Sequence, residues 1–329
     1  MKKILVTGGA GFIGAHLVNK ILKEKKYNVL IVDNLKTKGG IPYINPLAKF
    51  YKGDILDAHT LKKIKKWKPE IIFHLAAQSG GEGSYDNPKK DYLVNGYGTM
   101  KLAELAKEIK CKKFIYTSTV AVYGDSKNAI NEKSKINPDS FYGISKFAGE
   151  MFLKQTLKNT KTETFIFRLF NTFGPGEDLK NTKKGMVGIY SYYLWQKKPI
   201  IIKGSLNRFR NFVYIDDCID VLFNSINNKK LNNFEIINLT SGKKVTVKKL
   251  IKIILKINKK PNYRLLVKND TPGDSFGTHS SIFYLKKKFR YLKFMELEKS
   301  LKKYFHWINT LPIRSNLKKY HPLNRKNKL

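Results

Sequence analysis

Short unbroken apolar runs alternate with longer stretches whose apolar positions recur every three or four residues, and this rhythm holds through the first half of the chain. "KILVTG", "YNVLIVD", "KFYKGD", "EIIFHLAA", "KKFIYTST" and "TFIFRLFN" have strand length and are rich in β-branched and aromatic residues. Between them lie helical patterns. Residues 12 to 24 place Ile13, Leu17, Ile21 and Leu22 on one face, and lysine-rich helical stretches cover 92 to 109 and 141 to 159. Strands that are apolar on both faces and separated by helices predict a parallel sheet covered on both sides. After about residue 172 the rhythm loosens. Glycine and proline cluster in "FGPGED", a helix is expected over 185 to 197, and shorter strand–helix pieces follow. The expected fold is α/β: a doubly wound parallel sheet over 1–172, a smaller α/β lobe over 173–310 and a basic tail over 311–329. A helix near 216–228 is expected to pack back on the first domain.

Composition narrows the class. A hydrophobic content of 42% and an aromatic content of 12% are those of a globular chain. No stretch approaches the roughly 20 apolar residues of a membrane-spanning helix, and the apolar run in "MKKILVTGG" is too short for a signal peptide. Cys111 and Cys218 form no metal or disulfide pattern and suit a reducing, cytoplasmic setting; the six histidines show no ligand spacing. The formal net charge of +39 raises nucleic acid or an anionic membrane as partners. Yet only seven of the 64 basic residues are arginine, whose bidentate fork nucleic-acid surfaces favour. The lysines are spread over every helix, so no nucleic acid is expected as a specific partner. The local exception is "SNLKKYHPLNRKNKL", which reads as a frayed tail or a contact for a membrane or partner.

The chemistry begins at "TGGAGFIG", residues 7 to 14, where four of eight positions are glycine. Gly8, Gly11 and Gly14 follow a strand and open a helix, which is the Rossmann-type context for a dinucleotide pyrophosphate resting on helix N-terminal amides. Asp33 ends the second strand, where a carboxylate accepts both ribose hydroxyls of an adenosine and repels a 2′-phosphate. NAD is therefore expected rather than NADP.

The spacing Gly-x-x-Gly-x-x-Gly resembles that of the extended short-chain dehydrogenases/reductases, in particular the nucleotide-sugar epimerases and dehydratases, and other motifs follow in register along nearly the whole chain. The resemblance implies cofactor contacts at Gly8, Gly11, Phe12, Ile13, Gly14, Asp33 and Asn34, at Asp54 and Ile55 of "GDI", and at Leu75, Ala76 and Ala77 of "HLAAQ". It adds Asn95 of "VNGYGT" and Phe170 of "RLFNTFGPG". "TSTVAVYGD" implies Thr119 as a catalytic hydroxyl, and "YGISK" supplies the Tyr-x-x-x-Lys pair, Tyr142 and Lys146, which also touch the cofactor. Substrate contacts are implied at Gln78, Glu82, Ser84, Asn171 and Thr271, and Arg210 of "RFRNFVYIDD" is implied to sit on the substrate diphosphate. A homodimer through the helices near 92–109 and 141–159 is part of the same expectation, and no metal is.

Tyr142 and Lys146 stand i, i+4 and share a helix face. An ammonium beside a phenol, with a cationic nicotinamide nearby, is expected to lower the phenol's pKa toward neutrality. A 4,6-dehydratase must also remove a C5 proton and protonate the leaving C6 hydroxyl, which needs an acid and a carboxylate. In dehydratases of the family those acids follow the threonine, whereas this chain has Val120 and Ala121. The expected reaction is thus epimerisation of a nucleotide-linked hexose at C4, with UDP favoured as the nucleotide. Xylose synthase-type decarboxylases are disfavoured by the same missing acid. A dehydratase, a net-redox dehydrogenase or reductase, and a non-catalytic NAD-sensing regulator remain as alternatives. Three departures bear on the substrate: Gly81 and Glu82 replace a valine and an arginine, Thr271 replaces an arginine, and Asn211 replaces an aspartate. Glu82 either accepts bonds from sugar hydroxyls or faces solvent. Calorimetry checks the cofactor: NAD binds much more tightly than NADP, and Asp33→Ala narrows the gap. A wild-type preference for NADP contradicts the reading of Asp33.

Overall fold

A computed structural model describes residues 1–36, 43–126, 128–183, 185–269, 275–290, 292–312 and 323. The first half runs β1 (Lys2–Thr7), α1 (Phe12–Lys23), β2 (Tyr27–Asp33), β3 (Lys49–Lys52), α2 (Ala58–Trp67), β4 (Ile71–His74), α3 (Gly81–Ser84) and α4 (Pro88–Asp91). A π-helical turn, Tyr92–Tyr97, leads into α5 (Gly98–Glu108) and β5 (Lys113–Thr119); a 3-10 turn, Val120–Tyr123, precedes α6 (Phe141–Leu157) and β6 (Glu163–Leu169). Then come β7 (Asn171–Phe173), α7 (Met186–Trp195), β8 (Ile200–Lys203), β9 (Phe209–Tyr214), α8 (Ile215–Asn224), β10 (Phe234–Leu239), β11 (Lys244–Thr246), α9 (Val247–Ile257), β12 (Leu265–Lys268), α10 (Phe283–Lys288) and α11 (Leu297–Asn309).

Seven parallel strands form the main sheet in the order β10-β6-β5-β4-β1-β2-β3. Alternate residues of each strand enter two separate apolar clusters. Ile4, Val6, Ile31, Phe73, Ile115 and Phe167 lie in one, while Leu5, Leu30, Ile72, Phe114 and Ile166 lie in the other. That is the consequence of strands apolar on both faces. The chain steps outward from β1 to β3 and then crosses back to β4, so the strand order reverses between β1 and β4. At such a point the loops splay apart and leave a crevice at the carboxyl ends of the strands.

The sheet does not stop at residue 172. β10 comes from within 173–310, yet it registers Phe234–Leu239 against Thr164–Leu169 of β6. Without it, the backbone groups along the free edge of β6 would be unpaired. α8 brings the chain back, packed on α1 and tied by Lys20 to Asp220 at 2.8 Å; the sequence placed this helix near 216–228. The remaining lobe is a three-stranded sheet, β11-β9-β7, with the β12-β8 pair and helices α7, α9 and α11. Its apolar residues, among them Phe212, Leu250, Tyr304 and Trp307, join the same cluster as one face of the main sheet. The tail beyond 312 lies outside the described residues, Leu323 excepted.

Beneath α6 a buried ion pair joins these parts. Arg168 on β6 meets Glu150 on α6 with Nη2–Oε2 at 2.6 Å and Nε–Oε1 at 3.0 Å, and both side chains are almost wholly shielded. Arg168 Nη1 also donates to the Tyr123 hydroxyl at 2.7 Å, which donates to Asn238 Oδ1 of β10 at 2.8 Å. Ser118 Oγ donates to the same glutamate. Removing one partner leaves a buried charge uncompensated. Arg168→Met is therefore expected to destabilise by about 3 to 5 kcal/mol in urea unfolding, and the double variant Arg168→Met/Glu150→Leu to recover much of that loss.

Candidate active site

The carboxyl ends of β1, β2, β4 and β5 deliver the candidate residues to one edge of the sheet. After β1 the chain turns at Gly8, whose φ of +69° lies in the left-handed region; a Cβ there would stand 2.6 Å from the backbone nitrogen of Ala76. Gly14, in the first turn of α1, is pressed against Gly8 O so closely that no side chain fits. These two glycines let α1 begin directly above the strand end. Gly11 caps α1 with no side-chain bond to the free amides, and a Cβ there would meet only Gly8 O, at 3.3 Å. Phe12 and Ile13 follow in the same turn, half-buried.

Asp33 accepts Ala10 N–H at 3.1 Å and Leu35 N–H at 2.8 Å, which aims its carboxylate across the mouth of the glycine turn. Asn34 donates to Asp54 Oδ2 at 3.0 Å, Leu56 N–H donates to Oδ1 at 3.1 Å, and Lys36 pairs with Oδ2 at 3.1 Å. Burial raises the pKa of the Asp54 carboxyl, but the bonds from Asn34, Leu56 and Lys36 outweigh it and hold it below the ordinary value. Ile55 is buried against Gly98. Leu75, Ala76 and Ala77 run half-buried past Gly8 beyond the end of β4.

Thr119 ends β5 and Tyr142 lies in the first turn of α6, with the Thr119 hydroxyl acting on the phenol to favour its ionised form. Ser140 caps α6 by accepting Gly143 N–H at 3.1 Å, and Gly143 lets the first turn of α6 close onto Ala121 O. Lys146 follows one turn later and is 1% exposed, its Nζ 4.1 Å from the centroid of the Tyr116 ring. Tyr116 in turn stacks on His74 at 5.4 Å. His74 bonds the Thr7 hydroxyl through Nδ1 at 2.8 Å and the Thr99 hydroxyl through Nε2 at 3.0 Å. Burial holds His74 well below the usual histidine value, and the Lys146 charge adds to this, so the ring is neutral. A continuous stack thus links the glycine turn to Lys146. His74 opens "HLAAQ", and the motif resemblance gives it no role; its signal in the sequence is a histidine at the end of an otherwise apolar strand.

Among the protein's own groups, burial pushes the phenol of Tyr142 up to about 12, the Thr119 hydroxyl opposes this, and the charge of Asp91 adds to the rise. Lys146 moves the other way, pushed down to about 7 by burial and partly restored by Glu150. Loss of water penalises both charged forms, and the Lys146 ammonium leans on the Tyr116 ring. Burial also raises the Cys111 and Cys218 thiols to about 12, so neither is a nucleophile at neutral pH.

Substrate-side residues are placed less as expected. Ser84 is fully buried and donates to Gly81 O at 2.6 Å, which closes its own turn instead of facing a ligand. Phe170 is 2% exposed within the core, so its side chain has no face to offer a cofactor. Asn95 is a clamp: it accepts Gln78 N–H at 2.9 Å and donates to Gln78 O at 2.9 Å and Ser145 Oγ at 3.0 Å. Glu82 neither faces solvent alone nor stands free, because Lys203 of β8 pairs with it at 2.8 Å across the two lobes. Asn171 donates to Asn211 O at 3.4 Å. Arg210 is buried and donates to the carbonyls of Phe209, Ser275 and Phe276. Thr271 lies outside the described residues.

Residues 4–240 match the NAD dependent epimerase/dehydratase family. The chain belongs to this NAD-dependent family. A provisionally named UDP-glucose 4-epimerase of Methanocaldococcus jannaschii is 37% identical over 253 residues, 76% of this chain and 81% of the relative. The human dTDP-D-glucose 4,6-dehydratase is 30% identical over 269 residues, 79% of this chain and 75% of the relative. Among solved structures, the UDP-glucuronic acid 4-epimerase of Bacillus cereus in complex with UDP-glucuronic acid and NAD superposes with a TM-score of 0.85, at 28% identity over 94% of this chain and 99% of that one. The glycine turn fits the cofactor of an epimerase/dehydratase on its own terms, since Gly11 starts α1 without a side-chain cap on its first amides, close to the carboxylate of Asp33. Among the described residues no group of histidine, cysteine, aspartate and glutamate could hold a metal ion.

The depressed Lys146 gives a pH test with a fixed sign. Its folded pKa lies below the unfolded value, so between about 7 and 10.5 the unfolded chain keeps a proton that the native state has lost. Stability attributable to this residue therefore rises with pH through that window. From pH 7 to 9 the wild type is expected to gain roughly 2 kcal/mol relative to Lys146→Met, measured by urea unfolding of both proteins.

Proposed function

We propose that this protein is an NAD-dependent 4-epimerase of a nucleotide-linked hexose, with a UDP-hexose as the favoured substrate. The observation that carries the reading is the convergence of Thr119, Tyr142 and, one turn on, Lys146, set beside a turn whose half-buried positions, Val120 and Ala121, are apolar. In this reading Gly8, Gly11, Phe12, Ile13 and Gly14 cradle the pyrophosphate, and Asp33 takes the adenosine ribose. Asp54 meets the adenine. Bound NAD supplies a reversible hydride acceptor and, when oxidised, a positive charge in the cleft.

The chain's own residues handle the proton. Thr119 holds the C4 hydroxyl of the sugar, Tyr142 takes its proton as the carbon is oxidised, and Tyr142 returns it after the keto sugar has turned over. A buried phenol ionises at neutral pH only beside cations, so Lys146 must be charged during the proton transfer. Nothing on the Val120–Tyr123 turn can protonate a leaving C6 hydroxyl. That separates the proposed reaction from the one named for the dehydratase relative.

Arg210 and Asn171 are assigned to the substrate diphosphate, with residues 173–310 closing over the sugar. The exposed Tyr92, Ile144 and Met151 lie on the π turn and α6, the face assigned to a homodimer. No described helix is long and apolar enough to cross a membrane, and a cytoplasmic setting fits the two unpaired thiols.

A panel of UDP-, GDP-, CDP- and dTDP-sugars followed by product NMR tests the reading. An inverted hexose with no net NADH and no deuterium at C4 or C5 in deuterated water is expected. A new methyl signal from a 4-keto-6-deoxy product, or stoichiometric NADH, overturns it. Tyr142→Phe should bind NAD normally and lose roughly 10² to 10⁴-fold in rate.

A further inference from the structure

Asp91 takes no part in the proposed proton transfer. It ends α4, is 1% exposed, and its Oδ2 has no hydrogen-bond partner among the described residues. Its Oδ1 receives only a long bond, 3.4 Å, from Asn95 Nδ2. That amide has two hydrogens and three acceptors, the others being Gln78 O at 2.9 Å and Ser145 Oγ at 3.0 Å, so Asp91 receives the weakest share. Burying a carboxyl in this state costs stability, and such orphans in native proteins have a reason to be there. The π turn that begins at the next residue points the same way, since such turns concentrate at functional sites.

The route from Asp91 leads to the catalytic tyrosine. Ser145 Oγ, which accepts from Asn95, donates to the carbonyl of Tyr142 at 2.9 Å. Asn95 and Ser145 therefore tie Asp91 to the first turn of α6. The field of Asp91 also reaches the phenol and disfavours its ionisation. Around Asp91 stand Lys90 on its own turn, which favours its charge, and Tyr142 on α6. Glu82 on α3 is neutralised by Lys203. Burial raises the Asp91 carboxyl to about 6, so it is largely charged at neutral pH.

Resting on the reading of Tyr142 as the proton carrier, we propose that Asp91 is a positioning residue that sets how tightly Tyr142 holds its proton. Lys146 and the cofactor's charge draw the phenol toward ionisation. Asp91 opposes them, through its field and through the Asn95–Ser145 link to the tyrosine's turn. An epimerase needs this balance because one group must both take a proton and give it back within a turnover. A phenolate that ionises too readily is a poor donor on the return.

The test uses the NAD-loaded enzyme and compares wild type, Asp91→Asn, Asp91→Ser and Tyr142→Phe. Asp91→Asn keeps an acceptor for Asn95 and removes the charge. The acid limb of its kcat profile is expected to move to lower pH by roughly one unit, with KM for the nucleotide sugar unchanged. The near-ultraviolet phenolate absorbance that Tyr142→Phe lacks should move by the same amount, a readout independent of turnover. Asp91→Ser should shift both in the same direction, and it serves alone if Asp91→Asn does not fold. Unshifted profile and absorbance in a folded variant, or a loss of kcat with neither shifted, overturns the proposal and leaves Asp91 structural. Full activity in Tyr142→Phe instead removes the reading on which the proposal rests, whatever Asp91 does.

Discussion

α6 carries a lysine and a glutamate one turn apart, Lys146 and Glu150, and both are buried against the sheet. Neither charge can be left alone there. Glu150 is answered by Arg168 from β6, and Lys146 by the face of Tyr116 from β5. Each answer recruits further groups. Arg168 reaches Tyr123 and through it β10, while Tyr116 stacks on His74, which bonds both the strand before the glycine turn and α5. Helix α6 is thereby pinned to β6, β5, β10, β4, β1 and α5 by groups that must stay satisfied together, and the position of Tyr142 follows from that.

The same burial decides the chemistry. A surface tyrosine and lysine at i, i+4 would keep their ordinary values. Here desolvation drives the phenol up and the amine down, which brings Lys146 near neutrality and leaves Tyr142 a poor acid on its own. Charge brought into the cleft then has a large effect, because little water remains to screen it. Asp91 is the protein charge whose field reaches the phenol.

Across the cleft the lobes meet through polar contacts as well as a shared core. Glu82 pairs with Lys203 and Asp86 with Lys183 at 2.6 Å, while within the second lobe Arg210 grips the carbonyls of Ser275 and Phe276. Both ion pairs are reached by solvent and contribute little to stability.

The strands, the glycine turn, Asp33 and the Thr119–Tyr142–Lys146 set were legible because each follows a local rule: a period of two or 3.6, a turn that only glycine can make, a spacing of four on one helix face. The family relationship was legible for the same reason, since its motifs are short and in register. What distance along the chain brings together was not. β10 joins a sheet whose other strands end by residue 169, Glu150 finds Arg168 only after α6 has folded onto β6, and Ser84 turns inward to the Gly81 carbonyl. Phe170 and Asn95 lie within recognisable motifs, yet burial gives one to the core and makes the other a clamp. Asp91 gave no sign in a lysine-rich stretch, because a carboxyl's effect depends on its access to water and on what stands across from it. The sequence by itself determined which groups are present and which local shapes they take; only the tertiary structure decided which are dry, and dryness sets the proton affinities on which the reaction depends.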